Sequence, residues 1–335
     1  EEEKEEIRKE INELPAALLH QIVPQIVVHI SHKDPKISRV VQSIISEFGA
    51  AHFQAVVYPL NVLSLLTDED RQCLMNYSVP PNLLQSSRSK RKPKSVINKA
   101  QIAKDMMDKL GSLNQKIYAD SKLFIDGMHR SAITLYEVFL ATLDKASTAQ
   151  QMNDKELVIT LIHNVFNLID NPQCEMDLNF QASFRANLQR CRMNFERYTK
   201  SDDASIQRYM WDDFRDLYGE MDKKIKTMET FQLSKVSVQL ANMRHFDLSV
   251  PGTYSVDHES PQLDYIDPIL KILSSQQHPR SVFMRDTNGT AYQFLLKGNE
   301  DLRLDQRIMQ FFNLINSLLK NNRNTADLKV EIIDY

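Results

Sequence analysis

Apolar residues recur along most of this chain at the three-and-four spacing of an amphipathic helix, and only near residue 264 does the pattern turn to alternation. Ile37, Val40, Val41, Ile44, Ile45 and Phe48 fall at i, i+3, i+4, i+7, i+8 and i+11, a single stripe down one helix face. The preceding LLHQIVPQIVVHI is apolar around most of its circumference, which predicts a buried helix kinked or split at Pro24. Residues 1 to about 66 therefore read as paired helices of the kind that stack in helical-repeat arrays, although no strict period is present. Residues 67 to 95 interrupt the pattern. Pro80-Pro81 stops any helix, and SSRSKRKPK (86 to 94) is a basic, serine-rich run. That run reads either as a solvated insertion loop or as a localisation or phosphorylation segment. Helix resumes near Ser95.

From Met128 to Lys226 the spacing predicts four helices with short connections, each with one apolar face, hence an antiparallel bundle. Ile133, Val138 and Leu143 mark the first and VITLIHNVFNLI (158 to 169) the second. The third spans about 176 to 199 with Phe180, Phe184, Leu188, Cys191 and Phe195, and the fourth is SIQRYMWDDFRDLYGEMDKKI. Pro251-Gly252 marks a turn. Beyond it DYIDPILKIL (264 to 273) and SVFMRD (281 to 286) read as strands, TNG (287 to 289) as a hairpin turn and TAYQFLLK (290 to 297) as the returning strand. A helix over 301 to 320 with Ile308, Phe312, Ile315 and Leu319 on one face follows, and LKVEIID (328 to 334) reads as a further strand. The expected fold is mainly α: helices over 1–127, a bundle over 128–228, and a linker with an incomplete α+β lobe over 229–335.

Composition narrows the function classes. The 335 residues are 42% hydrophobic and 25% charged with a formal net charge of −3, which argues against a dedicated nucleic-acid or membrane-surface binder. Only seven glycines leave no room for G-x-G-x-x-G or Walker loops. Cys73, Cys174 and Cys191 show no CxxC spacing and are odd in number, which points to a reducing, intracellular setting. The histidines form no HxxxH or HExxH pair, so no metal site made of protein ligands alone is expected. No apolar run reaches 18 residues and no signal peptide is visible. The chain opens on Glu1 rather than Met, so it is expected to be a piece of something longer.

The densest chemistry lies in YQFLLKGNEDLRLDQRIMQFFNLINSLL (292 to 319). A lysine at a strand end, followed at once by a helix that opens with carboxylates, is the arrangement that holds ATP phosphates in phosphoryl-transfer enzymes. The lysine supplies a positive point charge and a carboxylate fixes its place. On composition alone Lys297 reads first as a strand-end surface lysine beside a solvated first helical turn.

FLLKG-x-EDLR-x-D-x-R-x-MQ resembles the N-lobe signature of the phosphatidylinositol-kinase-related protein kinases, in particular their target-of-rapamycin (TOR) branch. The resemblance implies that Lys297 contacts phosphate and that Glu300 and Asp305 line the inner adenine side and orient it. Leu304 and Gln306 depart from the usual Gln and Glu. The phosphate loop of this family runs S-x-Q-x-P between two strands, and SQQHPR (275 to 280) fits it, which makes Ser275 the implied phosphate contact; by itself it is an ordinary turn serine. MRHFDLSVPGTY (243 to 254) resembles the family linker into the N-lobe.

RSAITLYEVFLATLDKAS (130 to 147) with QRYMWDDFRDLY (207 to 218) resembles the rapamycin-binding bundle of the same branch. Leu143, Ser147, Trp211, Asp212 and Tyr218 then stand at positions of the cleft for the drug and for substrate recruitment. Trp211, the single tryptophan, is an aromatic of the kind that anchors ligands, or equally a bundle-core residue. Ser147 must stay small, because a bulky residue would fill the cleft. Gln151 replaces a family Phe, Arg215 a Tyr and Tyr218 a Phe, so two aromatic walls are polar. A weakened grip on the immunophilin–rapamycin pair is expected.

The resemblance implies a serine/threonine protein kinase that uses ATP and Mg2+, acts on protein substrates within TOR complexes, and resides in the cytoplasm or at endomembranes through its partners. Helices ahead of the N-lobe separate it from the lipid kinases, and Trp211 with the bundle spacing from the DNA-damage members. No DRH, HRD or DFG triplet occurs, so the catalytic loop and the magnesium-binding Asp are missing and this polypeptide by itself is expected to be inactive. A non-catalytic helical scaffold with a vestigial kinase lobe is the competing reading.

Overall fold

The computed structural model of the protein describes residues 14–64, 94–275, 277–298 and 302–333, without the side chains of 94–98, 303 and 304. Glu300 and nearly all of the interruption at 67–95 lie outside the described residues.

Helices α1 (Ala16–Ile26), α2 (Pro35–Ala51) and α3 (Phe53–Ser64) pack with α4 (Lys94–Leu113) around Val23, Ile30, Ile45, Val56, Leu60 and Ala103. The stripe read on α2 faces this core through Ile44, Ile45 and Phe48, while Ile37 at its start stays exposed. Asp34 accepts from the Lys36 amide at 2.8 Å and Pro35 occupies the first helical position, where its missing N–H costs nothing. Pro24 sits inside α1, and the chain leaves α1 two residues later through a tighter turn at Val27–His29. α5 (Gln115–Ala132) then carries the chain to the bundle.

The bundle consists of α6 (Leu135–Gln151), α7 (Lys155–Asp170), α8 (Glu175–Ser183) with α9 (Arg185–Lys200), and α10 (Ala204–Thr227). α6 opens on a capping box: the Glu137 carboxylate accepts from the Thr134 amide at 2.8 Å. Asp154 and Asp203 cap α7 and α10 by accepting from the Leu157 and Ser205 amides. Apolar faces meet in a core that includes Phe139, Ile162, Phe180, Phe195, Phe214 and Leu217. The third helix read from the sequence divides at Phe184, which ends α8 and opens α9. The reason is packing: Phe180 stands edge-on to Tyr136 at 4.9 Å and Phe184 joins the same cluster, so two short helices serve it better than one straight one.

The chain then forms a five-stranded antiparallel sheet from β1 (Thr230–Gln232), β2 (Leu263–Ile266), β3 (Ile269–Ile272), β4 (Arg280–Asp286) and β5 (Ala291–Leu296), with the short helix α11 (Val238–Asn242) between β1 and β2. The strand expected over 264–273 is two strands. Pro268 has no N–H for a ladder, so β2 pairs with the end of β4 and β3 with its beginning. Turn 287–289 is held by the Asp286 carboxylate, which accepts from the Asn288 and Thr290 amides, with Gly289 at φ +81°. β1 shows no alternation in the sequence and joins the sheet by pairing with β3.

Helix α12 (Leu302–Asn321) follows, with Asn316 as its buried position and Phe312, Ile315 and Leu319 half-buried; Ile308 is exposed. The strand expected over 328–334 is not formed within the described residues. Ile332 exchanges both its backbone groups with the Asn316 side-chain amide, which satisfies them without a neighbouring strand.

The middle of the linker 243–254 is buried between these parts, at Phe246, Leu248, Ser249 and Val250. Phe246, Leu248 and Val250 enter the sheet core. The Gln54 side chain of α3 pairs with both backbone groups of Ser249, and Asp120 of α5 accepts from the Asp247 amide at 2.7 Å. The linker is thus a strut and not a tether.

Candidate functional site

Between α6 and α10 lies a cleft of about 400 Å3, a volume within the range of small-ligand sites. Leu143, Ser147 and Gln151 project into it because they are one helical turn apart on one face of α6. Trp211, Phe214, Arg215 and Tyr218 do the same from α10. Asp144 and Gln150 complete the lining.

The floor is apolar. Leu143 and Phe214 are buried in the bundle core, and Trp211 packs on Phe214 at 6.1 Å between ring centroids. Trp211 belongs to both readings made of it: its ring is half-buried against the core and also walls the cleft. Its indole N–H is shielded from solvent and finds no acceptor among the described residues. A buried donor left unpaired costs free energy, so this indole is held by its apolar packing and not by a hydrogen bond among the described residues.

The rim is polar. Tyr218 donates to the Asp144 carboxylate at 3.3 Å. Burial pushes the Asp144 carboxyl above its ordinary range, partly offset by that hydroxyl, and burial together with the Asp144 charge pushes the Tyr218 phenol up. Gln150 accepts from the Tyr198 hydroxyl at 2.8 Å, which fixes its amide at the cleft edge. Arg215 and Gln151 are exposed.

Four of the five cleft residues read from the sequence line this space: Leu143, Ser147, Trp211 and Tyr218. Asp212 does not. Its carboxylate is taken by Arg215, itself at the cleft, at 3.0 Å and approached by Arg208 at 3.9 Å. Asp144 and Gln150 were not read from the sequence; the only signal was their place one residue from Leu143 and Gln151 on the same helical arc.

In the lobe, Ser275 is exposed in the connection between β3 and β4. Lys297 follows β5 directly and is half-buried, and Asp305 stands in the first turn of α12. Arg280 pairs with Leu296 in the β4–β5 ladder, so the connection carrying Ser275 emerges beside the strand end carrying Lys297. Glu300 lies outside the described residues. A side chain at Gly298 would meet the Ala132 carbonyl at 2.5 Å, so only glycine lets this strand end approach the start of the bundle. Among the described residues no cluster of His, Cys, Asp and Glu could hold a metal ion, and no helix is long and apolar enough to cross a membrane.

The FKBP12-rapamycin binding domain family matches residues 127–223, which span the bundle and its cleft. The chain is 26% identical to the serine/threonine-protein kinase TOR of Oryza sativa subsp. japonica, over 94% of its own length and 12% of that protein's. It is 25% identical to the serine/threonine-protein kinase tor1 of Schizosaccharomyces pombe over the same shares, and 23% to the serine/threonine-protein kinase Smg1 of Drosophila melanogaster over 94% of its length and 10% of that protein's. The chain thus spans only about 12% of the length of the first two. The bundle thus resembles the FKBP12-rapamycin binding domain, and the chain as a whole, flanks included, is similar to these target-of-rapamycin kinases over the stretch it shares with them.

Proposed function

We propose that this stretch works within a TOR-like serine/threonine protein kinase, which transfers the ATP γ-phosphate to protein substrates in growth and nutrient signalling. The bundle cleft is its docking site for partners. The observation that carries this reading is the cleft itself: an apolar floor of Leu143, Phe214 and Trp211 beneath a polar rim, in a domain matched by the FKBP12-rapamycin binding family. A large aromatic presented beside a pocket is the kind of side chain that dominates docking energies.

Gln151 and Arg215 set the character of the cleft. Both are exposed and polar where an apolar macrolide needs aromatic walls, so the immunophilin–rapamycin pair binds weakly. The double substitution Gln151→Phe with Arg215→Tyr is expected to raise affinity for FKBP12–rapamycin at least about tenfold, roughly 1.4 kcal/mol, by calorimetric titration. An unchanged affinity would overturn the assignment of these side chains to the ligand wall.

In the lobe, Ser275 and Lys297 would hold ATP phosphates, with Asp305 and Glu300 orienting the lysine. Their support is the ladder register that brings the Ser275 connection beside the Lys297 strand end. ATP supplies the transferred phosphoryl group, and Mg2+ would neutralise its charge. The sequence contains no catalytic-loop or DFG triplet to position the metal, so these residues by themselves turn over no substrate and bind ATP negligibly. Micromolar ATP affinity of the 335-residue chain would contradict this.

A further inference from the structure

Arg280, the first residue of β4, is only 1% exposed, although arginine is almost never fully buried unless paired. One guanidinium nitrogen donates to the His278 carbonyl in the connection that carries Ser275. Another donates to the Glu137 carboxylate at 2.6 Å, across 143 residues of sequence. The third, Nε, is buried without a partner among the described residues. Glu137 itself is nearly enclosed, and the same oxygen accepts from the Thr134 amide in the capping box of α6. Close by, Gly298 presses against Ala132 and Ile133 just before that cap.

We propose that Arg280 is a positioning residue for the phosphate loop, anchored on Glu137, so that the first turn of the bundle sets the placement of Ser275, His278 and Pro279. The inference rests on the reading of Ser275–Pro279 as that loop. The connection is short and closed on itself: Leu273 donates to the Pro279 carbonyl, His278 donates to the Ser275 carbonyl, and His278 takes the left-handed φ of +44°. Histidine enters that region more readily than most residues, so its backbone allows the turn and the contacts around it select it. The Arg280 guanidinium donates to the His278 carbonyl and so holds this turn from the side of β4. α6 carries both Glu137 at its start and the cleft residues Leu143, Ser147 and Gln151, so one rigid helix joins the docking cleft to the loop.

The test is amide hydrogen exchange on the 335-residue chain, native and as Glu137→Gln and Arg280→Lys. Gln at 137 can still accept from the Thr134 amide, so the cap survives while the charge beneath Arg280 is lost. We expect the Ser275 and His278 amides to exchange at least about tenfold faster in both variants, with the amides around Leu143 unchanged. Native exchange at the loop in Glu137→Gln, in a chain folded by circular dichroism, overturns the proposal even if Arg280→Lys fails to fold. In an intact kinase carrying this stretch, Glu137→Gln should raise the KM for ATP several-fold and leave kcat within about twofold. A loosened loop with an unchanged KM overturns it as well. Ser275→Ala reports separately on the phosphate reading: a KM untouched by that change removes the reading, and the exchange result still judges whether Arg280 holds the loop.

Discussion

Asp144 shows how one side chain at the cleft rim carries a pH dependence. Its carboxyl titrates above the ordinary value because burial disfavours the charge more than the Tyr218 hydroxyl relieves it. A carboxyl with a higher pKa folded than unfolded favours folding while protonated, so it costs stability as pH rises from the unfolded value of 3.8 through the raised folded one. Asp144→Asn removes that cost. The melting temperature at pH 7 should stay equal or rise by up to about 2 °C, and the gap should close near about pH 3. A lower melting temperature for the variant at pH 7 would mean that the Tyr218 contact outweighs burial. Cys191 makes the opposite kind of statement. Burial pushes its thiol up to about 12, which leaves almost no thiolate at neutral pH. Iodoacetamide should leave Cys191 unlabelled in the native chain and label it fully in denaturant; mass spectrometry of the native protein showing rapid alkylation there would contradict the packing.

At the scale of elements, Phe180 is the centre of the aromatic cluster that divides the third bundle helix. It is 0% exposed and meets Tyr136, Phe139 and Phe184. Phe180→Ala should cost about 3–5 kcal/mol in urea melts, whereas Leu178→Ala, at a site 52% exposed, should stay within about 0.5 kcal/mol. Similar values for the two would mean that the cluster does not hold the bundle. The bundle itself was legible because apolar spacing reports which face is buried. The division at Phe184 was not legible, since Phe180, Phe184, Leu188, Cys191 and Phe195 keep near-helical spacing across it. The sheet was legible where strands alternate and misread where they do not. Pro268 could have warned of two strands, because a residue without an N–H cannot sit inside a ladder. LKVEIID has strand-like residues, yet strand formation depends on a neighbour, and Ile332 meets the Asn316 side chain instead. In the cleft, family resemblance pointed to Leu143, Ser147, Trp211 and Tyr218. Asp212 has the right position along α10 but faces its arginines.

At the scale of the whole molecule, the parts are joined by buried polar contacts between residues far apart in sequence. Gln54 clamps Ser249, Asp120 holds Asp247, and Glu137 holds Arg280. None of these pairs has a local signature, so none could be read from spacing; the Thr134–Glu137 cap was readable, and its second duty was not. They fix the linker and the sheet against the helices. The cleft is the feature on which the functional account stands, and its polar walls are what distinguish it. The most direct measurement is therefore a side-by-side calorimetric titration of FKBP12–rapamycin into this chain and into an animal TOR bundle. The account predicts binding weakened more than about tenfold here, about 1.4 kcal/mol or more. Equal affinity would contradict it.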